Sequence, residues 1–99
     1  MRYLIFGSTQ ERGIEKLEEL VGELKYKEVK IFHKSLTSAF AELYDGSIYK
    51  VVSVSDSLRG IKADKAYVDY EVSADIIGTV ICQCLVVSAL PEGERIETF

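Results

Sequence analysis

Leu58–Val72 reads LRGIKADKAYVDYEV, and the fold turns on this stretch. A turn carrying Arg59 and Gly60 feeds the apolar run Ala66, Tyr67 and Val68, which ends on Asp69. A short, continuously apolar run suits a strand covered on both faces, and such a strand in a parallel sheet delivers the next residue to the sheet's carboxyl edge. An acid at that edge is where a nucleotide site would hold Mg2+, with a second acid orienting the attacking water. Asp69 and Glu71 are the acids available, and strand alternation sets both on one face with Tyr70 on the other. The alternative is an aspartate that only ends a strand in a polar loop.

Towards the N-terminus, Phe40–Leu43 and Ile48–Val52 flank Asp45 and Gly46, a strong signal for a two-residue hairpin turn. That turn sets Tyr44 opposite Ser47, Leu43 opposite Ile48 and Phe40 opposite Val51. Ala41, Leu43, Ile48, Lys50 and Val52 then share the more buried face, while Phe40, Tyr44 and Tyr49 make the other face partly apolar. The hairpin is therefore expected to be covered or to meet a partner chain, with Phe40, Tyr44 and Tyr49 as interface candidates.

Nearer the start, Arg2–Phe6 is a strand candidate that stops at Gly7. Ser8 with Glu11 three places later has the form of a capping box, and Ile14, Leu17, Leu20, Val21 and Leu24 make one helical apolar stripe. Gly7, Ser8 and Thr9 then lie at a helix N-terminus, where they either hold an anion or only cap the helix, since Glu11 already brings negative charge. Glu28–His33 reads as a second strand. Joined to the first through a helix, it should lie parallel to it across a right-handed crossover. Lys25, Lys27, Lys30 and Lys34 gather around this strand, as a phosphate-facing surface or as lysines protecting a sheet edge. His33 has no companions at metal-ligand spacing.

The order of Asp45-Gly46-Ser47, the run Lys50–Asp56, Ser57-Leu58-Arg59-Gly60 and the strand ending at Asp69 resembles the large-subunit terminases of tailed phages and related helicase-like ATPases. Tyr3–Leu20, with Ser8, Thr9, Gln10 and Glu11 after the strand, is similar to the strand and helix that follow the Walker A helix there. The resemblance spans roughly residues 2–75. It implies a P-loop-NTPase-like half domain, with Asp69 in the Walker B position and Arg59 near where phosphates or DNA would lie. Arg59 read without the resemblance is a turn-fixing residue that bonds loop carbonyls or Asp64. Nowhere does the chain carry G-x-x-x-x-G-K-[ST], whose backbone amides and lysine cradle phosphates. Tyr70 stands where the family has its water-orienting glutamate. These two departures from the family pattern speak against nucleotide hydrolysis.

Beyond Glu71, Ser73 or Asp75 can cap an apolar helix through Ile76, Ile77, Val80, Ile81, Cys84, Leu85 and Val87, part of which could be strand. Cys82 and Cys84 read as buried thiols. Pro91–Gly93 ends that element, and Glu94–Phe99 could add an edge strand. With 99 residues, 47% apolar and 28% charged, the chain suits one α/β domain, residues 1–99. The fold expected is a mostly parallel sheet flanked by helices with an antiparallel β-hairpin inserted. A net charge of −4 disfavours general attraction to nucleic acid. Charged Arg2, Glu11 and Arg12, with no run of about 18 apolar residues, imply neither a signal peptide nor a membrane span, hence a cytoplasmic protein. Three functions are then expected: a non-catalytic, phage-type module that binds a protein partner or itself; a weak binder of Mg2+ and nucleotide, or residual ATPase, through Asp69 and Glu71 with Gly7, Ser8 and Thr9 as anion site; or a nucleic-acid-binding module using Arg59, Lys62, Lys65 and the lysines near the second strand.

Overall fold

Among the described residues, six strands and one long α-helix form most of the regular structure. The structure is a computed structural model that describes residues 1–24, 28–35, 39–52, 62–72, 75, 77–81, 84–85 and 90–99. In chain order the elements are β1 (Arg2–Phe6), α1 (Gln10–Gly22), β2 (Val29–Lys34), β3 (Ala39–Leu43), β4 (Ile48–Val52), β5 (Lys65–Val68) and β6 (Ile96–Thr98). They join into one mixed sheet ordered β2-β3-β4-β1-β5-β6. β1 is parallel to both β4 and β5, β5 is parallel to β6, and β2-β3-β4 are antiparallel neighbours.

β1 and β5 sit centrally because their apolar runs can be covered on both sides. Leu4, Phe6, Ala66, Val68 and Val52 face one way and pack with Ile81, Cys84 and Leu85. Ile5, Tyr67, Ala39, Ala41 and Val51 face the other way, under Leu17 of α1 and its neighbours Ile14, Leu20 and Val21. The apolar stripe of the helix is thus the face it buries. Of the C-terminal apolar segment, Ile77–Ile81 forms a π-helical turn, and the described side chains of Ile81, Cys84 and Leu85 are buried.

β2 runs parallel to β1, as expected, but not beside it: β3 and β4 lie between them, and β2 is at the rim. Val51 and Val52 of β4 are buried and compete better for the place beside β1 than β2, whose Lys30–Lys34 are all exposed. The hairpin loop, moreover, is one residue longer than a two-residue turn. Ala41 pairs with Tyr49 and Ala39 with Val51, the Gly46 N–H donates to the Leu43 carbonyl at 3.1 Å, and the Leu43 N–H donates to the Ser47 carbonyl at 2.8 Å. A two-residue type I′ turn needs positive φ at both central residues, whereas here Gly46 alone has it, at 91°. Asp45 instead accepts the Ser47 N–H at 2.8 Å, which suits a three-residue loop with glycine in the left-handed position. A shift of one residue exchanges faces. Tyr49 and Val51 therefore join Ala41 under α1, and Phe40 lies on the opposite face.

The helix approaches the sheet closely at Gly13, where a Cβ would come within 2.6 Å of Val51 Cγ1. Gly13→Ala should gain about 1 kcal/mol of helix propensity yet still destabilise through this overlap by about 1 kcal/mol net. In the Gly13→Ala/Val51→Ala pair the second change removes the methyl in the way. Chemical denaturation of the four proteins should therefore show the double variant about 1 kcal/mol more stable than additivity predicts. Strict additivity would mean that the approach is not tight.

Candidate functional site

Asp69 follows β5 at the carboxyl edge of the parallel strands, as its position after an apolar run requires. It is wholly buried, and its backbone N–H donates to the Phe6 carbonyl at 2.9 Å, which ties it to the end of β1. Four protein donors serve the carboxylate. Oδ2 accepts from the Ser8 N–H at 3.1 Å, the Ser8 hydroxyl at 2.8 Å and Arg12 Nε–H at 3.2 Å. Oδ1 accepts from the Glu71 N–H at 3.0 Å, and the Val72 N–H donates to the Asp69 carbonyl at 2.9 Å, closing a tight turn. Burial pushes the carboxyl pKa up, but the Glu71 and Ser8 backbone donors, the Ser8 hydroxyl and Arg12 outweigh it and hold the group well below the usual carboxylate range. Arg12 is 42% exposed on its side chain, so the ion pair lies just under the surface rather than deep in the core.

This network changes the reading of the N-terminal segment. Thr9, not Ser8, is the N-cap: its hydroxyl accepts the Arg12 N–H at 3.2 Å. Ser8 is withdrawn from capping by Asp69, and its N–H, a candidate for holding an anion, is spent together with its hydroxyl on a carboxylate from the chain itself. Arg12, which the sequence marks only as a charge near the start, is the residue that the pattern does not assign to the site; from the first turn of α1 it reaches the same carboxylate oxygen as Ser8.

The other candidates are dispersed. Glu71 and Tyr70 are exposed, Tyr70 at 68%, and only the backbone of Glu71 reaches Asp69. A cation on Oδ2 would have to displace Ser8 and Arg12, and the guanidinium already supplies positive charge there. Among the described residues no three His, Cys, Asp or Glu side chains gather as metal ligands do. Arg59 and Gly60 lie outside the described residues. Phe40 and Tyr49 are on opposite faces, and Tyr44 stands 69% exposed in the hairpin loop. Tyr49 instead stacks on Tyr3, with ring centroids 4.4 Å apart, and both rings lie 6.4 Å from that of Tyr67. Burial is the main reason all three phenol pKa values are raised.

No family model, curated protein or solved structure matches this chain. Its chemistry has therefore to be read from its own residues.

Beside the Asp69 network runs a ladder of cations and rings. Arg12 lies 6.0 Å from the Tyr70 ring centroid and 5.9 Å from that of Phe99. Lys16 lies between Phe99 and Tyr67 at 5.5 and 5.6 Å, and Lys65 is 4.9 Å from Tyr67. Arg12 and Lys16 are also paired with Glu15 and Glu19, at 3.8 and 3.4 Å. The ladder joins α1 to the β5–β6 side of the sheet, and much of its positive charge is balanced internally. Among the described residues no helix is long and apolar enough to cross a membrane.

Proposed function

We propose that this chain is a non-catalytic, phage-type docking module that keeps the frame of the Walker B half of a terminase or helicase-like ATPase without its chemistry. The observation that carries the reading is Asp69. This acid, at the carboxyl edge of the parallel strands, faces Ser8, Arg12 and the Glu71 amide, all of which belong to the chain. A metal-holding aspartate presents oxygens to a cation and its waters; this one joins the end of β1, the first turn of α1 and the turn after β5. Its role is then to hold a scaffold that presents surface to another protein.

Calorimetric titration with ATP and Mg2+ tests this. No saturable heat is expected up to millimolar nucleotide, for the wild-type chain or for Glu71→Gln, whose exposed side chain can be changed without disturbing the fold. Saturable binding near 10 μM, about −7 kcal/mol, that weakens in Glu71→Gln would overturn the proposal and restore the two acids as a Mg2+ site.

A further inference from the structure

β2 lies at one rim of the sheet, and among the described residues it pairs with β3 alone. Lys30, Ile31, Phe32, His33 and Lys34 are all exposed, Ile31 at 43% and Phe32 at 42%. Pairing opposite Ala41 and Ala39 puts Phe32 and Lys34 on the α1 side. Pairing opposite Glu42 and Phe40 puts Ile31 and His33 on the other. A strand with an open edge thus offers apolar surface on both faces, bracketed by Lys30 and Lys34. On the α1 side a groove of about 770 Å³, whose lining includes Ile14, Lys34 and the acidic Glu11, Glu15 and Glu18, adjoins the end of the strand, so the Lys34 end is the less basic of the two.

Resting on the docking reading above, we propose that the β2 edge takes up an extended partner segment as a seventh strand, and that this segment has an apolar centre with carboxylates at both ends. A second copy of the chain fits less well. Antiparallel self-pairing centred on Phe32 sets Lys30 against Lys34 of the other copy, and like charges across a strand pair are unfavourable. The register shift between Val29 and Ile31 is a further irregularity of the kind that blunts edges. Lysines and a bulge guard an edge against its own kind, but they do not repel a strand of opposite charge. Backbone hydrogen bonds would supply attachment, Ile31 and Phe32 the apolar contact, and the two lysines the choice of partner. Lys34 is already held by Glu18 at 2.5 Å, so Lys30 should carry the larger share of that choice.

The test uses two labelled, end-blocked heptapeptides with the same alternating valine–threonine centre, one ended by glutamates and one by lysines. Anisotropy reports binding, amide exchange of Ile31–Lys34 reports the place, and sedimentation of the chain alone reports self-association. The glutamate-ended peptide should bind and protect the β2 amides. Lys30→Glu should weaken it about tenfold, or 1.4 kcal/mol, and improve binding of the lysine-ended peptide. A Lys30→Glu/Lys34→Glu variant should extend both trends, and thermal melting of each variant checks that it is folded. Equal binding of both peptides at β2 would overturn the partner chemistry and leave docking standing. A dimer with β2 amides protected in the absence of peptide would make a second copy the occupant. No binding of either peptide, with unprotected amides and no dimer, would remove β2 as the docking edge, whereas the docking reading itself stands or falls with the nucleotide titration.

Discussion

Asp69→Ala should lower the stability of the chain by about 3 kcal/mol and its melting temperature by about 15 °C. The change takes the acceptor away from the Ser8 amide and hydroxyl, Arg12 and the Glu71 amide together, and leaves these part-buried donors without the carboxylate that they share. Breaking a buried charged pair by removing one partner costs about 3–5 kcal/mol. The lower end applies because Arg12 is 42% exposed on its side chain and can turn to solvent, whereas the Ser8 amide is fixed at the end of β1. Asp69→Asn keeps the shape and one acceptor oxygen but loses the charge and turns an NH2 group on the donors, so it should cost less than the alanine variant and more than Glu71→Gln.

Acid should abolish that difference in a defined direction. The folded-state carboxyl pKa lies below its unfolded value of about 4. The stability it contributes is therefore fully present above about pH 4 and is lost progressively as pH falls through that value towards the folded-state pKa. Urea midpoints of wild type and Asp69→Asn should differ by a constant amount from pH 7 to pH 5 and converge below pH 4. A gap unchanged down to pH 2.5 would mean that the charge of Asp69 contributes nothing, and that the network is held by shape alone.

The parts of this arrangement readable in the chain were those set by local pattern. The apolar run Tyr3–Phe6, the stripe Ile14, Leu17, Leu20, Val21 and the Asp45-Gly46 turn each state a period or a backbone preference within a few residues, and β1, α1 and the β3–β4 hairpin follow them. So does the position of Asp69 at the strand end. What was hidden is set by distant or small differences. Whether Ser8 or Thr9 caps α1 depends on a carboxylate 61 residues away. Whether the hairpin loop has two residues or three depends on Asp45 avoiding positive φ, a difference of a kcal/mol or so, and this alone decided that Tyr49 meets Tyr3 under the helix. The rim position of β2 is a competition among strands that no single strand's pattern reveals. The cation–ring ladder was hidden for the same reason, since Phe99 and Arg12 meet only after β6 has joined the sheet.

Gly7→Ala should be as damaging as the loss of Asp69, at about 3 kcal/mol, although it adds a single methyl group. The backbone there has no positive φ, so the requirement is for space and not for conformational freedom. A Cβ on Gly7 would lie 2.4 Å from the Gly13 amide nitrogen and 2.5 Å from the Thr9 carbonyl oxygen. Those two atoms are donor and acceptor of a hydrogen bond in the first turn of α1, 3.2 Å long. At Gly13 the obstacle is a side-chain methyl that can be deleted; at Gly7 it is backbone, and neither atom can retreat without opening the helix start. Moving α1 as a body would instead carry Arg12 away from Asp69 and Leu17 out of the buried cluster under which it packs. Gly7→Ala and Asp69→Ala therefore attack one junction from two sides, and their effects should overlap. Denaturation of the double variant should show a loss smaller than the sum by about 1 kcal/mol or more. Full additivity would mean that the helix start and the carboxylate are held independently, and that Asp69 does not secure the junction of β1 with α1.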